Sequence, residues 1–184
     1  IISSFNSIFD TELRFNDQWK LSSQVGIQWD QSSQEQYVGE NTFNMRNIRE
    51  DSSYDENQYI VPKGGMHTVN NATTSQITWK VQGEYKNTFN DIHDIQIMAG
   101  SEIRKNWYNT QFTAGYGYDP KTLTTKPLNI RNDKDAEKYK LHTKTYQENA
   151  FASFYTTGSY SFMSRYTIGG SVRMDGSDLF GVDK

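Results

Sequence analysis

Residues 159–181 read SYSFMSRYTIGGSVRMDGSDLFG, and this stretch decides the fold class. After a short turn, every second residue belongs to an apolar set, which is Tyr166, Ile168, Gly170, Val172 and Met174. The residues between them are mostly polar or charged. A period of two is the pattern of a β-strand with one apolar face and one polar face. Such a strand fits a soluble sheet that is covered on one side, or a membrane barrel with lipid outside and water inside.

The same alternation recurs along most of the chain. It predicts a first hairpin over residues 3–29 that turns at 16–18, a strand over 75–86, a strand over 94–118, and a last hairpin from about 149 that turns at 163–164. These elements make an all-β fold of about six strands in an antiparallel up-and-down meander. Two polar segments without a sustained period, about 38–72 and about 119–148, are predicted to be long loops. The second has room for one short helix.

The lengths of the connections favour the barrel. They alternate between a few residues and roughly thirty, and loops of that length are uncommon in compact soluble domains. Outer-membrane barrels combine short periplasmic turns with long extracellular loops. We therefore expect periplasmic turns at Asn16, Asn90 and Ser164, and extracellular loops around Asp51, Asn132 and Asp178. The charged residues expected to point into the lumen are Lys20, Glu84, Lys86, Glu102, Arg104 and Arg173.

About six strands cannot close a barrel, because the smallest barrels have eight. We therefore expect residues 1–184 to be one fragment of a barrel domain, cut at both ends, with strands missing on both sides. The composition agrees with a barrel wall: only 34% of residues are hydrophobic, so no run approaches the about 20 apolar residues of a membrane helix. Aromatic residues, at 14%, lie mostly in the alternating segments, as in the aromatic belts of barrels.

Composition also excludes several function classes. There is no cysteine, which rules out disulfides, thiolate metal sites and cysteine nucleophiles. A net charge of -3 gives no basic footprint for nucleic acid. The three histidines, His67, His93 and His142, are isolated, which argues against a zinc or iron site. No phosphate-binding glycine loop or hydrolase motif is present, so we expect neither an enzyme nor a cofactor.

Three features allow two interpretations each. The run 175–178, DGSD, resembles a calcium turn but lacks the oxygen spacing of an EF-hand loop, which favours a strand exit. Two carboxylate pairs could suggest a glycosidase, but charged faces are usually solvated or neutralised by basic neighbours; the pairs are Asp10 with Glu12 and Glu84 with Glu102. Five aromatic residues near the second loop are either an interfacial belt or a platform for sugar rings; they are Trp107, Tyr108, Phe112, Tyr116 and Tyr118.

Residues 160–181 resemble the barrel signature of the SusC/RagA-type TonB-dependent transporters of Bacteroidota. The family has a strand-turn-strand similar to Y-x-Y-x-x-R-Y, followed by R-x-D-G-S-x-x-F-G. The corresponding residues here are Tyr160, Phe162, Arg165, Tyr166, Arg173, Asp175, Gly176, Ser177, Phe180 and Gly181. Phe162 stands where the family usually has tyrosine. A weaker match lies in residues 85–103, through Phe89, His93 and Gly100.

The resemblance implies a barrel of about 22 strands with an N-terminal plug domain that is absent from this chain. It also implies import of glycans or peptides across the outer membrane of a Gram-negative bacterium. The implied partners are a SusD-like surface lipoprotein, the TonB complex acting through the plug, and outer-membrane lipid. The alternative is a soluble β-sandwich or an adhesin-type carbohydrate-binding module. That alternative requires the side of the sheet that carries Trp29, Trp79 and Ile168 to be buried under a second layer.

Overall fold

Six long strands form one antiparallel sheet, as the alternation predicts. The computed structural model describes residues 1–178. The strands lie in the sheet in the order β1 (Ile2–Arg14), β2 (Trp19–Val38), β5 (Gly65–Phe89), β6 (His93–Tyr118), β7 (His142–Phe162) and β8 (Tyr166–Ser177). Each strand of this sheet therefore lies beside the next one along the chain, which is an up-and-down meander. The predicted fold class is confirmed.

The two connections predicted to be long loops are shorter than expected and partly ordered. The first contains helix α1 (Phe43–Glu50) and the small strands β3 (Ser53–Asp55) and β4 (Gln58–Tyr59). The second contains helix α2 (Asp133–Lys138). The predicted ends of the loops at 72 and 148 are wrong, because β5 already begins at Gly65 and β7 at His142. At the beginning of β5 and of β7, polar residues occur on both faces of the strand. The alternation of apolar and polar residues is therefore not visible there. We call residues 39–64 the first loop and residues 119–141 the second loop.

The short turns form where predicted, and local chemistry explains them. The Asn16 side-chain oxygen Oδ1 accepts hydrogen bonds from the backbone N–H groups of Gln18 (2.9 Å) and Trp19 (2.8 Å), which is an Asx-type turn. Met163 and Ser164 have φ of 51° and 55°. Two consecutive positive φ values match the twist of the flanking strands in a tight hairpin. The hairpin register then pairs Phe162 with Tyr166.

The contacts divide the described chain into two compact units. Unit 1 comprises Ile1–Ser3, Gln31–Thr73 and Asn109–Tyr146, and therefore holds both loops. Unit 2 comprises Ser4–Asp30, Thr74–Tyr108 and the described residues from Gln147 onward, and therefore holds the three short turns. Each unit is organised by a different physical principle.

Unit 2 has an exposed apolar face. Trp29 is 37% exposed, Trp79 is 50% exposed and Ile168 is 72% exposed. Directly paired residues of an antiparallel sheet point to the same side, and the register pairs Phe154 with Met174 on this side. We call the side of unit 2 that carries these exposed apolar residues the apolar face. Within residues 1–178, no second layer buries these side chains.

Unit 1, in contrast, has a small core of its own. Met45, Ile60, Val61 and Tyr139 are buried and contact one another. Met45 and Ile60 come from the first loop region, and Tyr139 follows α2. Backbone bonds join the two loops directly, since the N–H of Asn129 donates to the carbonyl oxygen of Ile60 at 2.9 Å. The two loops of unit 1 therefore fold as one body.

Glycine permits the close approach of the two loops to the strand ends. Gly117 has φ of 62°, a value that side chains with a Cβ rarely adopt. A Cβ at this position would lie 2.8 Å from Lys126 Cβ and 2.9 Å from Pro62 Cγ. Gly64, with φ of 140°, approaches the backbone of Gly117 in the same way. These positions hold the first and second loops against the end of β6.

We predict that Gly117→Ala loosens unit 1. A residue with a Cβ at positive φ costs about 1–2 kcal/mol, and the contacts with Pro62 and Lys126 add to that cost. Hydrogen exchange of residues 39–64 and 119–141 should become faster. Gly170→Ala is the matched control, because no described atom lies within 4 Å of a Cβ there. Equal exchange in both variants would contradict the packing role of Gly117.

Candidate functional site

The side of unit 2 opposite the apolar face carries paired charges, and we call it the polar face. The Lys20 ammonium lies 2.9 Å from Glu84 Oε2 and 3.8 Å from Glu12 Oε2. Arg14 Nε donates to Glu12 Oε1 at 2.7 Å. Gln82 Nε2 donates to Glu84 Oε1 at 2.9 Å. Residues of β1, β2 and β5 are therefore connected across the polar face near the turn at Asn16.

A second charged cluster lies on β6, β7 and β8. Arg173 Nε donates to Asp175 Oδ1 at 2.8 Å and to Oδ2 at 3.0 Å. The Arg173 Nη2 group donates to Ser153 Oγ at 3.0 Å. The register places Ser153 opposite Asp175 and Tyr155 opposite Arg173, so the contact between Arg173 and Ser153 is a diagonal one across the two strands. On β6, Arg104 Nη2 donates to Glu102 Oε1 at 2.7 Å.

Tyr155 lies on the polar face beside these clusters. Its hydroxyl donates to Gln82 Oε1 at 3.2 Å. Its ring packs so closely on β6 that a Cβ at Gly100 would lie 2.5 Å from the ring carbon Cζ. The Lys80 ammonium and the Arg173 guanidinium lie 5.8 and 5.9 Å from the ring centroid, within the range of cation–π attraction. Tyr155 thus connects β5, β6 and β8 through one side chain.

Five of the six residues predicted to point into the lumen carry such contacts. Lys20 and Glu84 bind each other, Glu102 binds Arg104, and Arg173 binds Asp175. For the sixth residue, Lys86, the backbone N–H donates to the carbonyl oxygen of Gln18 at 2.9 Å. The sequence did not indicate Tyr155, Gln82 or Ser153. Alternation could have placed Tyr155 on the polar side, but its partner 73 residues away depends on the register of strands that are not adjacent in sequence.

The signature residues that the structure describes occupy one hairpin. Arg165 lies in the turn, and its N–H donates to the carbonyl oxygen of Phe162 at 3.0 Å. Tyr166 begins β8 on the apolar face, and Gly176 pairs with Ala152. Asp178 Oδ1 accepts a hydrogen bond from the N–H of Ala150 at 2.8 Å. Ser177 ends β8, whereas Phe180 and Gly181 lie outside the described residues.

The weaker second match also has a structural counterpart. His93 Nδ1 lies 2.7 Å from the Tyr160 hydroxyl, and the His93 ring lies 5.4 Å from the Phe162 ring. The turn after β5 contacts the turn after β7, since the N–H of Met163 donates to the carbonyl oxygen of Ile92 at 2.8 Å. His93, the first residue of β6, therefore helps to join two hairpins of unit 2.

The five aromatic residues from Trp107 to Tyr118 divide between the two units. In unit 1, Tyr116 packs against the buried core and meets Tyr139 edge-on at 6.3 Å. Burial raises the pKa of the Tyr116 hydroxyl, and the nearby Tyr139 adds to the shift. Tyr118 stacks on His67 at 4.9 Å. Tyr116 is therefore partly buried against the core of unit 1, a contact that neither interpretation of the set, as a belt or as a sugar platform, predicts.

In unit 2, the Lys105 ammonium lies 5.4 Å from the Trp107 ring. Tyr108 in unit 2 and Phe112 in unit 1 are exposed, each at 37%. For these three aromatic residues, the interfacial belt and the platform for sugar rings are both compatible with the structure.

The carboxylates considered as catalytic pairs each have a neutralising or hydrogen-bonding partner. Gln24 Nε2 donates to Asp10 Oδ1 at 2.7 Å, and Glu12, Glu84 and Glu102 accept from basic side chains. Asp175 and Asp178 of the possible calcium turn bind Arg173 and the Ala150 N–H. In the part of the chain that the structure describes, no three acidic or histidine side chains form a metal-binding group.

Among the described residues, neither helix has the length and apolar character needed to span a membrane.

The fold and the two faces define a class of protein. A meander with an exposed apolar face and an ion-paired polar face has the fold of a wall segment of a transmembrane β-barrel. No family model matches the sequence. Over 102 residues, the chain is 29% identical to the TonB-dependent receptor P39 of Formosa agariphila, a match that covers 54% of this chain and 9% of that relative.

Solved structures show the same fold. A structure of the RagAB peptide transporter matches 98% of this chain with a TM-score of 0.74 at 18% identity. The RagAB peptide importer in its open-open state matches the whole chain with the same TM-score and identity. This chain spans 18% of each of those chains. The predicted resemblance to SusC/RagA-type TonB-dependent transporters is confirmed.

We predict that Gly100→Ala destabilises unit 2. The added methyl group would meet the Tyr155 ring at 2.5 Å and Gln82 Cβ at 2.9 Å, so Tyr155 must move and lose its bond to Gln82. Overpacking of this kind costs about 1–3 kcal/mol. The midpoint of thermal unfolding of the detergent-purified protein should fall. Gly83→Ala should leave it unchanged, since a Cβ there meets no described atom within 4 Å. Equal midpoints for both variants would refute the close packing.

Proposed function

We propose that this chain forms part of the barrel wall of a SusC/RagA-type TonB-dependent transporter in the outer membrane of a Gram-negative bacterium. One observation carries the proposal: the apolar face of unit 2 is exposed over several strands, while the opposite face is polar and ion-paired. A water-soluble protein rarely exposes a continuous apolar surface of this extent. In a bilayer the same surface meets hydrocarbon, which stabilises it.

The transported substrate in this proposal is a glycan or a peptide. The relationship to a TonB-dependent receptor supports uptake across the outer membrane, and the RagAB proteins of the matched structures are peptide transporters. The signature around Arg173 and Asp175 supports assembly with a SusD-like surface lipoprotein. Energy would come from the TonB complex through a plug domain outside this chain.

The polar face supplies the aqueous side of the wall in this proposal. Charges that point into a lumen are solvated or paired, and each close pair on unit 2 is only partly buried. Exposed ion pairs contribute little to stability, typically about 0–1 kcal/mol each. Their role is therefore to present a hydrophilic, hydrogen-bonded surface to water and substrate. Unit 1, with its own core, would form part of the extracellular mouth.

The soluble β-sandwich or adhesin-type module remains the rival function. It requires a second sheet on the apolar face. Among residues 1–178, however, no second layer covers Trp79 and Ile168 on this face. The long loops that would carry its recognition surface are instead packed on each other in unit 1. The barrel wall therefore agrees better with the burial of these residues.

Site-directed spin labelling of neighbouring residues on β8 tests the proposal. Val172→Cys and Ser171→Cys are introduced separately into a cysteine-free version of the whole protein in outer-membrane vesicles; residues 1–184 contain no cysteine. Val172 is 68% exposed on the apolar face and pairs with Thr156, whereas Ser171 points to the other side. A nitroxide at 172 should be relaxed mainly by oxygen, which concentrates in lipid, and a nitroxide at 171 mainly by a water-soluble nickel complex.

The rival function gives a different result. In a sandwich, position 172 would be buried between two sheets and protected from both reagents. High accessibility of position 172 to the nickel complex would also refute the membrane-facing side. Thr167→Cys and Ile168→Cys form a second matched pair, so one misfolded variant does not decide the outcome.

A further inference from the structure

The Tyr155 side chain forms a flat aromatic surface on the polar face of unit 2. Its hydroxyl reaches from β7 to Gln82 on β5, so the ring must cross the intervening strand β6. It crosses at Gly100, where a Cβ would lie 2.5 Å from both the Cζ and the hydroxyl oxygen of the tyrosine. One side of the ring therefore rests on the β6 backbone. The other side is directed away from the sheet, and the residue is only partly buried.

A polar hollow lies beside the hydroxyl end of this ring. Its volume of about 400 Å³ is within the range of roughly 300–1,000 Å³ that small-molecule sites have. Gln82 and Lys80 join the hollow to the ring, since Gln82 accepts the hydrogen bond of the Tyr155 hydroxyl and the Lys80 ammonium lies 5.8 Å from the ring centroid. The lining residues that share the polar side of β1, β2 and β5 are Asp10, Glu12, Ser22, Gln24, Lys80 and Gln82.

The charges that line the hollow balance one another. Glu12 is already bound by Arg14 at 2.7 Å. Within residues 1–178, the Lys80 ammonium has neither a carboxylate nor a hydrogen-bond acceptor as a partner. Asp10 accepts from Gln24 Nε2 at 2.7 Å, and no basic side chain in this part of the chain pairs with it. The hollow therefore offers one free cationic donor and one anionic acceptor, which suits an uncharged ligand with hydroxyl groups.

We propose that this hollow and the Tyr155 ring bind an uncharged sugar ring of a glycan at the barrel wall. A hydroxyl group both donates and accepts hydrogen bonds, so two adjacent sugar hydroxyls match Lys80 and Asp10. The apolar C–H side of the same sugar packs on the free side of the tyrosine ring. The inference rests on the proposed function, because the polar face must line the lumen, and it adds a substrate contact to it. A peptide is the competing ligand.

Binding of small glycosides to the whole protein tests the proposal. The probes are the methyl glycosides of glucose, galactose, mannose and xylose, and saturation-transfer NMR in deuterated detergent measures their dissociation constants. At least one of them should bind the wild-type protein through its C–H side. Tyr155→Leu should weaken this binding about fivefold, because it removes one aromatic contact, whereas Tyr155→Phe keeps the ring and should retain it.

A second pair of variants tests the hollow itself. Lys80→Met removes the ammonium and keeps an apolar chain of similar length, so binding should weaken roughly tenfold through loss of a charged hydrogen bond. Lys86→Met is the matched control. It makes the same change on the same strand, but Lys86 does not line this hollow, and the dissociation constant should stay unchanged.

The remaining outcomes overturn the inference. Absence of glycoside binding, equal binding by wild-type and Tyr155→Leu protein, or equal effects of the two lysine variants would remove the site. Transfer to an N-acetyl tetraalanine amide that depends on Tyr155, without transfer to the glycosides, would assign the site to peptides. Failure of the proposed function gives a separate signal, because position 171 would then be protected from the nickel complex in the labelling experiment.

Discussion

Hydrogen bonding between the backbones of neighbouring strands is the constraint on which this structure depends. A strand whose side chains meet lipid on one face cannot leave its N–H and carbonyl groups unpaired, because hydrocarbon offers no substitute partner. A meander in which each strand lies beside its sequence neighbour satisfies this requirement, with short turns at one end of the strands and the two loops at the other. Once the backbone is paired, the side chains must separate into two faces. The apolar face and the polar face of unit 2 follow directly.

The two units solve the burial problem differently. Unit 2 has few buried apolar residues, because its apolar side chains lie on the exposed apolar face. Unit 1 buries Met45, Ile60, Val61 and Tyr139 in a core that two loops form together. Gly64 and Gly117 both have positive φ. They allow the loop backbones to approach more closely than residues with a Cβ would. Unit 1 therefore resembles a small soluble fold, whereas unit 2 resembles a membrane wall.

Much of the candidate site was predictable because it depends on alternation. Lys20, Glu84, Glu102, Arg104 and Arg173 all occur at polar positions of strands, and each of them makes a close contact on the polar face. The contacts of Tyr155 were not predictable. They depend on which residues of β5, β6 and β8 lie opposite one another, and a period of two carries no information on register between strands. The burial of Tyr116 was missed for a related reason, since its neighbour Tyr139 lies in a loop.

The sequence by itself determined that this protein is a sheet of about six strands with one apolar and one polar side, because the period of two is a property of each strand alone. It also indicated the short turns at Asn16 and Asn90, since asparagine side chains bond to nearby backbone N–H groups and asparagine tolerates positive φ. Only the tertiary structure decided where the strands begin at Gly65 and His142, and that the two loops fold against each other. The reason is physical: polar strand ends and loop cores are stabilised by partners distant in the chain, and no local pattern specifies those partners.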